Sequence, residues 1–516
     1  MDTKALRQKI LDLAIRGKLV PQDPNDEPAS ALLERIREQK QQMVKEGKLK
    51  KKDIKNDSVI FVGEDNLHYE KFADDSVICI EDEIPFELPE GWSWARIFSI
   101  TEELPYGTAK KSSPTGLVAV LRMGNIQSGE IDYSDLVYSS DRDDIVKYTL
   151  IKNDLLFNRT NSAEWVGKTA IYRGNMPAIY AGYLIRIRTF INAEYLNVVM
   201  NSGYAKSYCN SVKTDGVNQS NINAQKLGNF LVPIPSFGEQ HRISSSIADI
   251  LPRISIIQDE KDYITDLIQK TKSKILDLAI RGKLVPQNPD DEPASVLLDR
   301  IRAEKEELIN QGKIKREKKE SVIFRGEDNS YYEKIGNKAE NINDEIPFEL
   351  PKDWEFIRLN EIWDLISGRD LSPSEYNDNG VGVPYITGAS NFSNDKVELV
   401  RWTDSPQVLT ETGDLLFTCK GTIGEMAFND FGTAHIARQI MAIRNTFGLN
   451  TEYLAFCMKF YIHKIKDAAK GLIPGISRED ILNLILPVPP ENYQRQVVAR
   501  VQEINGILYS IEKSLS

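Results

Sequence analysis

Lys9-Ile-Leu-Asp-Leu-Ala-Ile-Arg-Gly-Lys-Leu-Val-Pro-Gln22 recurs without change as Lys274–Gln287. Self-similarity at a fixed offset, here 265 residues, is read before any local pattern because it fixes the architecture. The match continues on the C-terminal side. Pro24-Asn-Asp-Glu-Pro-Ala-Ser30 returns as Pro289-Asp-Asp-Glu-Pro-Ala-Ser295, and Ser58-Val-Ile-Phe61 as Ser321–Phe324. Gly63–Asn66 returns as Gly326–Asn329, and Asp82-Glu-Ile-Pro-Phe-Glu-Leu-Pro89 as Asp344–Pro351, with Trp92 and Trp354 just beyond. Past the tryptophans the copies diverge, leaving landmarks in the same order. Asn153-Asp-Leu-Leu-Phe157 faces Gly413-Asp-Leu-Leu-Phe417, and Phe230-Leu-Val-Pro-Ile-Pro235 faces Leu484-Ile-Leu-Pro-Val-Pro489. The chain is two tandem copies of one unit, each a near-identical frame around a diverged insert, residues 92–236 and 354–489. A preserved frame beside diverged inserts points to two modules of one shape that recognise different things.

After each Pro-x-Pro the apolar residues step alternately by four and three, as in a coiled-coil seam. The central run is Ile243, Ile247, Ile250, Ile254, Ile257, Ile264, Ile268, Ile275 and Leu278, with Lys261 and Thr271 as polar exceptions. Pro252 is expected to kink this helix or mark its effective start. The C-terminus repeats the pattern from Val497 to Leu515, and the N-terminus supplies Leu6, Ile10 and Leu13. These two ends map onto the two halves of the central helix, so a ring is expected: one continuous helix and a partner assembled from both termini. Gly17 and Gly282 read as helix C-caps. Residues 29–46 and 294–311 read as a second helix in each copy, with Pro28 and Pro293 in the first turn. The basic runs 48–55 and 313–319 open what reads as a solvated linker to each tryptophan. The inserts alternate short β-rich runs with turns and short helices.

The fold class read from this is α+β: two globular α/β domains separated by a long antiparallel coiled coil, pseudo-two-fold and internally duplicated. The segments are 1–17, half of the partner helix; 18–91, frame and linker; 92–236, first insert; 237–283, central helix; 284–353, second frame and linker; 354–489, second insert; and 490–516, the C-terminal helix.

Composition narrows the function. The 516 residues carry 65 Lys and Arg against 76 Asp and Glu, a formal charge of −11, which excludes a polybasic nucleic-acid coat but not a locally focused DNA face. Residues 92–236 are net +3 and residues 354–489 net −5, so such a face must be local. The four cysteines form no C-x-x-C pair, as expected in a reducing compartment without a thiolate zinc site. No apolar leader or 18-residue apolar run occurs, and a cytoplasmic protein is expected. There is no Gly-rich phosphate loop, no G-x-G-x-x-G after a strand, no Asn-Pro-Pro-aromatic or Asp-Pro-Pro-Tyr motif, no H-E-x-x-H and no Gly-x-Ser-x-Gly. His68, His241, His435 and His463 stand apart. The reading is a binding protein rather than an enzyme, without catalytic or metal-ligating residues.

Polar and basic residues cluster at turns that follow the β-like runs of the inserts. Phe157-Asn-Arg-Thr-Asn-Ser162 faces Phe417-Thr-Cys-Lys-Gly-Thr422, each delivering a cation flanked by amides or hydroxyls. Leu121–Ile126 faces Tyr385–Asn391, Thr214–Ser220 faces Lys470–Ser477, and Tyr106–Lys111 faces Ser367–Asp370. Arginine can grip guanine bidentately, and asparagine or glutamine adenine. Such residues in turns are usually only turn formers; their parallel placement in two modules makes them candidates. The candidate DNA contacts are Lys110, Lys111, Arg122, Asn125, Asn158, Arg159, Thr160, Lys168, Asn218 and Gln219 in the first insert. In the second they are Arg369, Asn391, Lys420, Thr422 and Lys470, with Arg159 and Lys420 read as holding equivalent turn positions.

These motifs together resemble the specificity subunit of a type I restriction–modification system over nearly the whole chain. The resemblance rests on the duplicated Ile-Leu-Asp-Leu-Ala-Ile-Arg-Gly-Lys-Leu-Val-Pro-Gln, on Glu-Ile-Pro-Phe-Glu-Leu-Pro before each tryptophan, on Asp-Leu-Leu-Phe, and on Pro233-Ile-Pro-Ser-Phe-Gly-Glu-Gln-His-Arg242. The second copy, Pro487-Val-Pro-Pro-Glu-Asn-Tyr-Gln-Arg495, departs by lacking Gly-Glu-Gln. The resemblance implies that each insert is a target recognition domain for half of a split double-stranded DNA sequence. It implies two modification subunits, which bind S-adenosylmethionine and methylate adenine, and restriction subunits that use ATP and magnesium. It implies no cofactor and no catalytic residue in this chain. The competing readings are a nuclease or methyltransferase acting alone, and a coiled-coil scaffold that never meets DNA.

Overall fold

The computed structural model describes residues 2–162, 164–216, 219–314, 316, 321–393, 396–468 and 475–515, without the side chains of 463–468. The chain divides into two compact units, residues 1–261 and 262–516.

In the first unit, the helix Thr3–Ile15 starts at an Asp2 cap, whose carboxylate accepts the Ala5 amide at 2.9 Å, and stops at Gly17. Gly17 has φ +66°, and a Cβ there would lie 2.6 Å from Pro89 Cγ and 3.1 Å from the Trp92 ring. The Arg16 guanidinium sits 4.3 Å over Phe86. The second unit repeats this within itself. Gly282 has φ +68° with Pro351 Cγ 2.5 Å from its imagined Cβ, and Arg281 lies 4.6 Å over Phe348. The two most faithfully duplicated stretches therefore touch each other. Close packing explains their joint retention, since a change on one side must be met on the other.

The helices Ala29–Lys45 and Ala294–Asn310 follow, with Pro28 and Pro293 at the N-cap rather than in the first turn. The segment read as a linker is instead a three-stranded antiparallel meander in both units. Its strands are Ser58–Val62, His68–Phe72 and Val77–Cys79, and again Ser321–Arg325, Tyr331–Ile335 and Lys338–Asn341. A carboxylate ties each meander to its insert: the buried Glu70 pairs with Arg96 at 2.7 Å, and the partly buried Glu333 with Arg358 at 2.8 Å.

Each insert is closed where it begins and ends. Ser93–Arg96 pairs antiparallel with Leu231–Ile234, and Glu355–Arg358 with Ile485–Val488. Inside, Asp-Leu-Leu-Phe forms the buried central strand, Leu155–Asn158 or Leu415–Thr418, flanked by Leu184–Ile187 and Thr169–Ile171 or by Ile440–Arg444 and Met426–Phe428. A second sheet holds the parallel pair Val118–Leu121 with Ala178–Tyr180, or Val383–Ile386 with Ala434–Ile436.

The long helix Phe237–Ile280 runs through Pro252, so its start lies 15 residues earlier than the proline. Ile243, Ile247, Ile254, Ile268 and Ile275 are buried as the heptad pattern requires. Ile257 is exposed, because the helix that pairs along this stretch begins at Thr3, whose hydroxyl donates to Gln258. In the second unit, Lys272 and Gln269 reach Glu512 of the helix Glu491–Leu515 at 3.0 and 3.2 Å.

The start of that last helix also departs less from its counterpart than the sequence indicated. Gln494 accepts the Asn450 amide and donates to the Pro489 carbonyl, as Gln240 does with Asn192 and Pro235. The tryptophan's partner changes, and Asp26, held by Ser236 and Arg242, has as its counterpart Asp291, held by Asn492. Trp92 donates to Glu239 at 3.0 Å, whereas Trp354 donates to Gln287 at 3.0 Å and packs edge-on against Tyr493. Among the described residues, no helix is long and apolar enough to cross a membrane, and no side-chain cluster is suited to a metal ion.

Candidate nucleic-acid interface

In each insert the central strand, the insert's opening segment and a three-residue turn end together. The Arg159 amide donates to Tyr183 O at 3.0 Å, and Arg159 O accepts from Ile222 N at 2.9 Å. The Cys419 amide donates to Gln439 O, and Cys419 O accepts from Ile476 N, both at 2.8 Å. Tyr106-Gly107 and Ser367-Gly368 lie across these ends so closely that a Cβ on either glycine would fall 2.1 Å from a carbonyl oxygen, of Tyr180 or Ala437. Glycine is required there by close approach.

This pairing corrects one expectation. Arg159 is equivalent to Cys419, not to Lys420, which matches Thr160. A one-residue shift along an extended chain exchanges the two faces, and the two cations accordingly have different surroundings. The Arg159 guanidinium is half-buried, donates to Gly182 O at 3.1 Å and lies 4.5 Å over the exposed Tyr106 ring. Lys420 and Thr422 are exposed, as are Arg369, Lys111 and Gln219.

The remaining candidates divide by burial. Lys168 sits 3.6 Å over the Trp165 ring and 3.3 Å from Gln127, and burial pulls its pKa below the ordinary lysine value. Lys110 bonds Asp141 at 2.6 Å and Asp144 at 3.3 Å, and the Asp141 bond raises its pKa. Arg122 pairs with Asp135 at 2.8 Å. Asn125 (3% exposed) and Asn391 (0%) are loop-organising residues. Asn125 accepts from Arg122 N and donates to the carbonyls of Asp132 and Asp135; Asn391 accepts from Thr387 N and donates to Glu398 O. Asn158 is fully buried, its amide on Trp165 O, and Thr160 is buried with its hydroxyl accepting from Asn221. These four do not present a polar edge outward. A short polar side chain in a turn satisfies the local backbone first. Asn218 and Lys470 lie outside the described residues.

The fold brings to this rim residues that the sequence reading did not select. In the first unit these are the exposed aromatics Tyr106, Trp165 and Tyr183, of the kind that stacks on bases or lines a groove. In the second they are Arg438 and Gln439 in the turn before strand Ile440–Arg444, both exposed. Exposure of an aromatic cannot be read from periodicity. The Arg-Gln pair had one legible sign, its place between two short β-rich runs.

The model of the type I restriction modification DNA specificity domain matches residues 351–515. The EcoAI specificity subunit of Escherichia coli is 26% identical across 97% of this chain and 88% of its own length. The EcoEI specificity subunit of the same species is 26% identical across 99% and 90%. A solved chain of a type I R-M system shares the fold, with a TM-score of 0.55 at 18% identity, covering 84% of this chain and 94% of its own. Duplicated frames around diverged inserts, a long helix between them and these likenesses agree: the chain is similar over nearly its whole length to specificity subunits of type I restriction–modification systems, and residues 351–515 match their DNA specificity domain.

Proposed function

We propose that this chain is the DNA-reading subunit of its system, with residues 92–236 and 354–489 each reading one half of a split double-stranded target. The observation that carries this is the pair of strand-end rims: one backbone plan in both inserts, with Arg159, Tyr106 and Tyr183 in one and Lys420, Arg438 and Gln439 in the other. Constant scaffolding with changed edge-reading side chains is what reading two sequences with one fold requires. Two modification subunits bring S-adenosylmethionine and methylate adenine, and restriction subunits bring ATP and magnesium. This chain supplies neither catalytic residue nor cofactor and works in the cytoplasm.

The test is to co-express the chain with its modification partners in a host without other adenine methylation and to map methylated adenines. A split sequence is the expected result. Because each insert's two ends are neighbouring strands, exchanging residues 354–489 for the same segment of a relative should change one half of that sequence only. A complex that assembles but neither methylates nor shifts any duplex identifies a scaffold. Methylation or cleavage by the purified chain alone identifies an enzyme.

A further inference from the structure

The three-residue turn at the rim is superimposable in its bonding and opposite in its chemistry. In the first unit Ala181 N donates to Leu121 O and Leu184 N to Ala181 O, both at 2.9 Å. In the second Ala437 N donates to Ile386 O and Ile440 N to Ala437 O, again at 2.9 Å. The two residues between are Gly182-Tyr183 in one and Arg438-Gln439 in the other. Beneath the turn the strand-end side chain donates to the same carbonyl: Arg159 Nη1 to Gly182 O at 3.1 Å, and Cys419 Sγ to Arg438 O at 3.7 Å. The first unit thus brings a guanidinium to this carbonyl from the strand end, whereas in the second the residue that carries the carbonyl is itself an arginine.

Arg438 is also pre-oriented. Asp370 forms an ion pair with it, Oδ2 lying 2.6 Å from Nε, and accepts its backbone amide through Oδ1 at 3.1 Å. An arginine held by a carboxylate through Nε keeps its two terminal nitrogens for a second planar acceptor, the geometry that matches O6 and N7 of guanine. Its neighbour Gln439 is exposed, and Gly388 leaves room for the carboxamide, since a Cβ there would lie 2.6 Å from Oε1. A carboxamide can pair with N6 and N7 of adenine.

We propose that Arg438 and Gln439 are specificity-determining residues of the second insert, Arg438 reading a guanine and Gln439 an adjacent base, with Asp370 as the positioning residue of Arg438. This deepens the DNA-reading function proposed above and rests on it. It makes Arg438, rather than Lys420, the counterpart of Arg159.

The experiment uses the full chain assembled with its modification partners, with the half belonging to residues 354–489 first identified by exchanging that segment. Arg438→Ala is expected to relax one position of that half, with discrimination there falling roughly 10- to 100-fold and the other half unchanged. Arg438→Lys, which keeps the charge and loses the fork, should relax the same position. Asp370→Asn should relax it less, and Gln439→Ala should relax a neighbouring one. An Arg438→Ala complex that co-purifies and keeps its motif overturns the proposal. So does one weakened equally on all sequences with a shallower salt dependence, the sign of a phosphate contact, or one relaxed in the other half. If Arg438→Ala does not assemble, Arg438→Lys decides, and an unchanged motif there overturns the guanine assignment. A wild-type complex that methylates no split sequence would refute the DNA-reading function itself.

Discussion

Arg188 grips Asp154 through two parallel hydrogen bonds, Nε to Oδ1 at 2.7 Å and Nη2 to Oδ2 at 2.8 Å, and Asp154 is 1% exposed. Asp154 Oδ2 also accepts the Ile151 amide, so one carboxylate shapes the turn before the central strand and ties it to the strand alongside. Arg444 and Asp414 repeat the arrangement at 3.0 and 2.8 Å, with the Glu411 amide in the third place. This is what Asp-Leu-Leu-Phe encodes. Asp154→Ala takes the buried carboxylate from Arg188, leaving it Glu102 at 3.7 Å, and should destabilise the first unit by roughly 2–3 kcal/mol, at or below the low end of the range for breaking a buried pair because Arg188 is partly exposed. Asp414→Ala should do the same to the second. Denaturant unfolding of each variant checks the size. Loss of less than about 0.5 kcal/mol for both, the scale of ordinary surface changes, would show that the pair is not structural.

Thiol chemistry gives a test of the cores. Of the four cysteines only Cys79 is exposed, while burial pushes Cys209 and Cys457 up to about 12 and raises Cys419. The thiolate is the reactive form. One equivalent of a thiol reagent should therefore react quickly with the native protein and four after denaturation. Fast native reaction of the Cys79→Ser variant would contradict the packing.

How far the sequence carried the reading depended on the range of the signal. The frame was legible because fourteen identical residues need no physics to be noticed, and the seam because steps of four and three repeat. The meanders were not. Glu70 and Lys40 look like surface residues in polar stretches, and only the fold shows Glu70 beneath Arg96 and Lys40 beneath Phe98. The setting of Asn125 and Arg438 was hidden for the same reason: a turn residue's side chain points inward or outward according to strands far away in sequence, which buries Asn125 and leaves Arg438 exposed.

A buried ion pair makes the first frame pH-sensitive. Lys40 Nζ lies 2.8 Å from Asp57 and donates to Phe98 O at 2.7 Å. Burial raises the Asp57 pKa to about 6 and lowers that of Lys40. Between about pH 4 and pH 6 the folded carboxyl keeps a proton that the unfolded one has released, so this group's contribution to stability falls as pH rises through that window. A shift of this size corresponds to an upper bound on the order of 3 kcal/mol. The double variant Lys40→Met, Asp57→Asn removes both charges together. The difference in unfolding free energy between wild type and variant should slope downward from pH 4 to pH 6 and flatten above. A difference that is level across the window would show that Asp57 titrates normally.

The unequal settings of Arg159 and Lys420 predict unequal effects on DNA. Arg159 is fixed by Gly182 O and the Tyr106 ring, so its guanidinium is pre-oriented, as discrimination between bases demands. Lys420 is exposed at the second rim, where a compact charge on a flexible stem suits phosphate. Arg159→Ala should cost roughly 1–3 kcal/mol on the specific duplex and relax one position of one half-sequence. Part of that cost comes through the turn, because Gly182 O loses its donor. Lys420→Ala should weaken binding evenly on all sequences and reduce the salt slope by about one. Titrations of the assembled complex on specific and scrambled duplexes at several salt concentrations separate the two. If Lys420→Ala changes the methylated sequence while Arg159→Ala changes only the salt slope, the assignment of roles is reversed. If neither affinity nor slope moves for either variant, both residues lie outside the interface.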